Sequence, residues 1–168
     1  VQTCALPIFE LEQAELFRGM WLCIGREADL AGPGDYVTRE IAGENLLLIR
    51  ARDGRLRAFF NVCRHRGAKL LAEGEGKGLA RIVCPYHAWS YELDGQLGAV
   101  PRMGEGFCRE AYPLVPARLG SRDGFLFVNL DASAESLEEY LADLPDLSRF
   151  RLPELVCGKR AEYEVATN

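Results

Sequence analysis

Cys63-Arg64-His65 and Cys84-Pro85-Tyr86-His87 are the residues of this chain that could do chemistry together. They offer two thiolates and two imidazoles, enough to close a metal site, and they contain the only two histidines in 168 residues. Each pair mixes one cysteine with one histidine, spaced CxH and then CxxH. Zinc fingers usually keep cysteine pairs and histidine pairs apart. Mixed pairs suit a [2Fe–2S] cluster in which two cysteines hold one iron and two histidines hold the other. Thiolates match the iron that stays ferric, and neutral imidazoles match the iron that accepts an electron. Exchanging two anionic thiolates for imidazoles raises the potential over that of an all-cysteine cluster. A structural Cys2His2 zinc site is the competing reading. With both histidines committed here, none is left for a second site.

Such a site needs two loops held side by side by stiff elements, and residues 36–99 read as short β-strands. Residues 45–52 and 55–62 flank Asp53-Gly54, a two-residue hairpin signal, and the second of these strands delivers Cys63. Ile82-Val83 leads into Cys84, and residues 90–93 and 96–97 flank another Asp-Gly at 94–95. Gly67 and Pro85 are turn formers that let backbone amides point at sulfur. Arg50, Arg52, Arg55 and Arg57 alternate around the first hairpin and read as a solvated face. Upstream, residues 9–19 read as a short amphipathic helix, 21–24 as a strand and 32–35 as a loop. Downstream, 125–130 reads as a buried strand and 136–144 as a helix capped by Ser136 and ended by Pro145. Residues 147–158 read as a linker, and 162–168 as the opening of an alternating strand.

The chain has 48% hydrophobic residues and a net charge of −5, which bounds it to one good core and the edge of a second and argues against nucleic-acid binding. Leu46-Leu47-Leu48-Ile49 is strand-sized, so no membrane span is expected. No basic segment precedes a long apolar stretch, so no signal peptide is expected and the cytoplasm is the expected compartment. Beyond Cys63 and Cys84, the cysteines at 4, 23, 108 and 157 are scattered singly and read as reduced, mostly buried thiols. Residues 1–8 back-translate to GTT CAG ACG TGT GCT CTT CCG ATC, which resembles a widely used sequencing-adapter oligonucleotide. They are read as adapter read-through and set aside. The domain reading is therefore 9–35 as N-terminal helix and lead-in, 36–132 as the metal domain, and 133–168 as helix, linker and a truncated further domain.

Residues 61–67, Asn-Val-Cys-Arg-His-Arg-Gly, with 84–89, Cys-Pro-Tyr-His-Ala-Trp, resemble the Rieske domain of ring-hydroxylating oxygenase α subunits. Weaker likenesses run through 21–36, 124–130 and the approach to Asn168. Within that family the chain is most similar to the glycine-betaine, choline and carnitine group, whose members oxidise quaternary amines. The resemblance implies a mainly β fold of stacked small antiparallel sheets with two metal-binding loops and short flanking helices. It implies Cys63, His65, Cys84 and His87 as ligands of a Rieske [2Fe–2S] cluster. Trp89 would pack beneath the cluster and Gly67 would turn the first loop. Arg64 and Arg66 would face a partner or solvent, and Tyr86 would shield the cluster or cap the core.

Respiratory Rieske proteins usually add a disulfide clamp, whose cysteines would fall at Ala68 and Tyr86. They also carry a serine where this chain has Trp89. Both departures disfavour that branch, and fewer donors to sulfur imply a low potential. In the family, a reductase or ferredoxin supplies the electron. The cluster passes it to a mononuclear iron held by two histidines and a carboxylate, across the interface of a homotrimer. That iron site would lie beyond residue 168, where Asn168 resembles the first residue of an Asn-Trp-Lys-like segment. The chain is then expected to relay electrons to the catalytic iron of an aromatic-ring-hydroxylating or amine-demethylating oxygenase, without catalytic residues of its own. A stand-alone Rieske ferredoxin is the alternative, although such carriers are shorter and lack the N-terminal helix and residues 133–168.

Overall fold

A computed structural model describes residues 5–104, 106–156, 158–159, 161 and 163–166. Helix α1 spans Ala5–Glu12 and runs into a π-helical turn at Gln13–Phe17. The strands are β1 (Leu22–Arg26), β2 (Tyr36–Ile41), β3 (Glu44–Arg50), β4 (Leu56–Phe60), β5 (Glu75–Gly76), β6 (Ile82–Val83), β7 (Ser90–Tyr91), β8 (Pro116–Arg122) and β9 (Phe125–Asn129), followed by helix α2 (Leu137–Tyr140). Seven strands form one antiparallel sheet in the order β1-β9-β8-β4-β3-β2-β5, and β6 and β7 form a separate two-stranded sheet. Among the described residues no helix is long and apolar enough to cross a membrane.

The uninterrupted run at 46–49 has a simple cause. β3 is central and buried on both faces: Leu46 and Leu48 join a core with Leu30, Val37, Leu126 and Val128, whereas Leu47 and Ile49 join a second core with Phe59, Trp89 and Tyr91. A strand covered on one side alternates apolar with polar; one covered on both sides does not. Each of these side chains contributes about 1.5–3 kcal/mol by leaving water. The second core also contains Cys63 and Cys84, so the metal-ligand candidates rest directly on it.

The first hairpin connection differs in length from the two-residue reading. Ala51 N–H donates to Arg55 O at 2.9 Å, and Gly54 N–H to Ala51 O at 3.0 Å, so three residues, 52–54, close the turn. Its arginines are not a plain solvated face. Arg52 donates to Ala80 O at 2.7 Å, Arg50 bonds Leu30 O and Gly54 O, and Arg57 grips both oxygens of Asp53 at 2.8 Å. The bonds to Leu30 O and Ala80 O tie the hairpin to neighbouring loops.

The flanks also depart from the reading. α1 begins at Ala5, inside the octapeptide set aside, and Phe9, Leu11 and Leu16 remain exposed, so its apolar face is not packed away. α2 is a single turn with a capping box between Ser136 and Glu139. Leu137 is buried against Gly120, where a Cβ would come within 2.6 Å of its side chain, so only glycine admits the helix there. Residues 148–155 are not a free linker. They form two 3-10 turns, and Arg26 donates to Leu152 O at 2.6 Å and Leu155 O at 3.0 Å while lying 4.4 Å over the Phe125 ring. Residues 162, 167 and 168 of the expected terminal strand lie outside the described residues, and the described ones among 161–166 form no strand.

Candidate metal centre

Each Cys–His pair sits in a loop with the same hydrogen-bonded frame. In the first, Cys63 N–H donates to Ala68 O at 2.8 Å and Gly67 N–H to Cys63 O at 3.0 Å. In the second, Cys84 N–H donates to Trp89 O at 2.8 Å and Ala88 N–H to Cys84 O at 3.0 Å. The fourth residue after each cysteine is left-handed: Gly67 at φ 69° and Ala88 at φ 56°. A single left-handed residue reverses the chain so that the cysteine and histidine of each loop point the same way.

The loops are fastened from outside. Buried Asn61 donates to Asn45 Oδ1 at 2.7 Å and to Leu71 O at 2.8 Å, and its own Oδ1 accepts from Leu71 N–H at 3.0 Å. This closes the base of the first loop. The segment joining the loops is tied to the lead-in of β2, where the Asp35 carboxylate accepts from Gly32 N–H at 2.9 Å, Gly78 N–H at 3.2 Å and Lys77 Nζ at 3.3 Å. Those donors, Gly32 foremost, hold its carboxyl below the usual range.

The four candidate side chains meet above the second core. Cys63 and Cys84 are buried, and the rings of His65 and His87 lie 4.8 Å apart between centroids at 69°. Trp89 stacks on His65 at 4.7 Å and 11°, and is itself braced edge-on by Phe107 and Tyr112. Tyr86 lies 3.8 Å from the His87 ring between centroids and is 61% exposed, so it is not part of the core. Arg64 and Arg66 are exposed.

Chemistry follows from this geometry. Nδ1 of His65 and Nδ1 of His87 are both buried without a hydrogen-bond partner. An unpaired buried nitrogen costs about 1–3 kcal/mol, and a metal on each removes that cost. Burial pushes the Cys63 thiol up, countered by Tyr91 and the His65 backbone N–H and reinforced by neighbouring Cys84. A bound cation would reverse this and hold the thiolates. Burial, then His65, Arg66 and Arg102, lowers His87 and keeps it the neutral imidazole that metals take. Two buried sulfurs and two orphaned ring nitrogens fit a cluster with two cysteine and two histidine ligands.

Tyr91 was not singled out from the sequence. Its hydroxyl lies 3.3 Å from Cys63 Sγ and accepts from Arg64 N–H at 3.0 Å. Burial, then Cys63, raises its pKa, so it stays a neutral donor. Arg102 and Asn61 were missed as well. The scattered cysteines required correction: Cys23 and Cys108 are exposed, not buried. Cys23 points outward from edge strand β1, and Cys108 opens a surface 3-10 turn where its thiol donates to Glu110 at 3.4 Å. Cys4 and Cys157 lie outside the described residues.

The chain is similar to known proteins. The carnitine monooxygenase oxygenase subunit of Escherichia coli (strain K12) is 46% identical over 138 residues, which cover 81% of this chain and 37% of that protein. The glycine betaine monooxygenase oxygenase subunit of Chromohalobacter salexigens is 41% identical over 140 residues, covering 83% of this chain and 31% of that protein. The chain thus spans about a third of the length of these curated relatives. A crystal structure of a quaternary ammonium Rieske monooxygenase in complex with an inhibitor superposes with a TM-score of 0.77 at 40% identity, covering 84% of this chain and 40% of that one. The family model for the Rieske [2Fe–2S] domain matches residues 20–118, a span that includes both Cys–His loops and the strands that carry them. With that much of its length matched, the chain belongs to the Rieske [2Fe–2S] domain family.

Proposed function

We propose that the chain is the electron-relay domain of a Rieske oxygenase α subunit, with Cys63 and Cys84 holding one iron and His65 and His87 the other. The carrying observation is the pair of buried, unpartnered Nδ1 atoms beside two buried thiols. Among the described residues no three His, Cys, Asp or Glu side chains stand close enough to hold one metal ion, and a two-iron cluster asks for only two at each iron. When bound, the cluster supplies reversible one-electron chemistry at the histidine-held iron. The protein's part is positional. Trp89 fixes the plane of His65, Tyr91 offers its hydroxyl to Cys63 Sγ, and Tyr86 limits water at His87.

In this reading a reductase or ferredoxin delivers the electron, and a mononuclear iron outside residues 1–168 receives it within a homotrimer. The likeness to carnitine and glycine betaine monooxygenase subunits supports a quaternary amine as the substrate of the whole enzyme. The test is iron and sulfide analysis, visible absorption and EPR of the purified chain. Two irons and one electron per chain, a rhombic signal on reduction and no substrate oxidation are expected. Cys63→Ser and His87→Ala should each abolish the cluster. A colourless zinc protein, or substrate turnover by this chain alone, rejects the proposal.

A further inference from the structure

Among the described residues one charged side chain is buried, and it is not a metal-ligand candidate: Asp35, 7% exposed, in the turn that leads into β2. Burying a carboxylate is costly unless donors surround it, and apolar residues in place of a buried ion pair are often no less stable. The charge therefore has to be understood from what it holds.

What it holds is the segment between the two metal loops. Residues 71–81 run from the first loop towards β6, and they are fastened at two places along β2 and its lead-in. Just past the first loop, the buried Thr38 hydroxyl donates to Ala72 O at 3.2 Å and accepts from Gly74 N–H at 2.9 Å. Ahead of the second loop, Asp35 takes Gly78 N–H on Oδ1 and Lys77 Nζ on Oδ2, the oxygen that also takes Gly32 N–H. Beside it Leu79 N–H donates to Gly34 O at 2.9 Å, and the two backbones lie so close that a Cβ on Gly34 would overlap Leu79. Asp35 is itself locked to the sheet, because its carbonyl accepts from Arg50 N–H of β3 at 3.0 Å. Beyond Gly78 the chain soon reaches Cys84, and Leu79 and Ile82 on the way pack into the core that carries both cysteines.

We infer that Asp35 is a positioning residue for the metal centre, its carboxylate setting where the second Cys–His loop stands relative to the first. A carboxylate suits this task because all three partners are donors and it offers only acceptors. The asparagine amide, nearly equal in size, turns an NH2 group towards at least one of them. The inference rests on the ligand assignment proposed above and adds a determinant of cluster geometry that bonds none of the four ligands.

The test uses the cluster-loaded 168-residue chain and reads iron released to a chelator at neutral pH and the rhombic EPR signal after reduction. Asp35→Asn should release iron about ten-fold faster, since hydrogen bonds to a charged group are lost, and should broaden the signal as the loops take a range of spacings. Lys77→Met leaves the carboxylate and both backbone donors in place and should quicken release about three-fold. Lys77 is 62% exposed, so this variant keeps the fold and decides the matter if Asp35→Asn loads no iron. Ser136→Ala removes the cap of α2, which lowers stability away from the connecting segment, and should leave release and signal unchanged. An unbroadened signal from loaded Asp35→Asn, or unchanged release from Lys77→Met, overturns the inference and leaves the ligand assignment standing. So does a Ser136→Ala effect as large as that of Lys77→Met, because release would then follow stability alone. Failure of the wild-type chain to take up iron, read from its absorbance beforehand, overturns both.

Discussion

The two metal loops share a backbone and little else. Both close with the same pair of hydrogen bonds and the same left-handed fourth residue after cysteine. The first is fastened from outside itself, at its base by Asn61 and at its sulfur by Tyr91 from β7. The second supplies its own furniture: Tyr86 lies over His87, and Trp89 reaches across to stack on the other loop's histidine. Support therefore crosses from the second loop to the first. The backbone frame is what a two-ligand loop requires, and the side chains around it settle which histidine is stacked by Trp89 and which lies beside Tyr86.

Changes that remove one side of this asymmetry should show it. The largest effect is expected from Trp89→Ala. Losing a buried tryptophan costs about 3–5 kcal/mol, and although the change is in the second loop, the iron environment of His65 should be the one that loosens. Denaturant unfolding gives the first quantity, and EPR linewidth of the loaded chain gives the second; an unchanged signal would mean that the stack is only packing. Tyr91→Phe acts on the first loop alone. A hydroxyl that donates to Cys63 Sγ favours the more negative, reduced state. One such bond is worth about 1 kcal/mol, and for a one-electron couple 59 mV corresponds to a factor of ten. Redox titration should then show a midpoint lower by about 40 mV, and a rise would reverse the assigned donor. The smallest effects come from the turn residues. Gly67→Ala should destabilise by about 1 kcal/mol, because a Cβ strains the left-handed conformation. Ala88→Gly should stabilise by about 0.5 kcal/mol, since relief of that strain outweighs the added freedom of the unfolded chain. Melting curves of both variants that moved in the same direction would break the equivalence of the two frames.

How legible each part was depended on how local its cause is. The Cys–His spacings, the places of the Asp-Gly turns though not the length of the first, and the strand at 46–49 rest on neighbours in the chain and were readable. Gly67 could be read as a turn former because glycine advertises a positive φ. Ala88 occupies the same position and advertises nothing. Tyr91 was hidden for a different reason. It lies 28 residues from Cys63, and only the pairing of β6 with β7 carries it beneath the first loop. The exposure of Cys23, the hold of Arg26 on residues 152–155 and the shortness of α2 depend likewise on which face each element turns outward.

What the sequence determined by itself was the candidate donor set: two cysteines and two histidines, in mixed pairs, with no histidine to spare. Ligand identity is a property of side-chain chemistry and short-range spacing, and both are written along the chain. The tertiary structure alone decided how those donors are held: Nδ1 of each histidine buried and unpaired, Trp89 flat against His65, and Tyr91 at Cys63 Sγ. Burial and through-space charge are sums over neighbours that come together only when strands distant in sequence pair and pack.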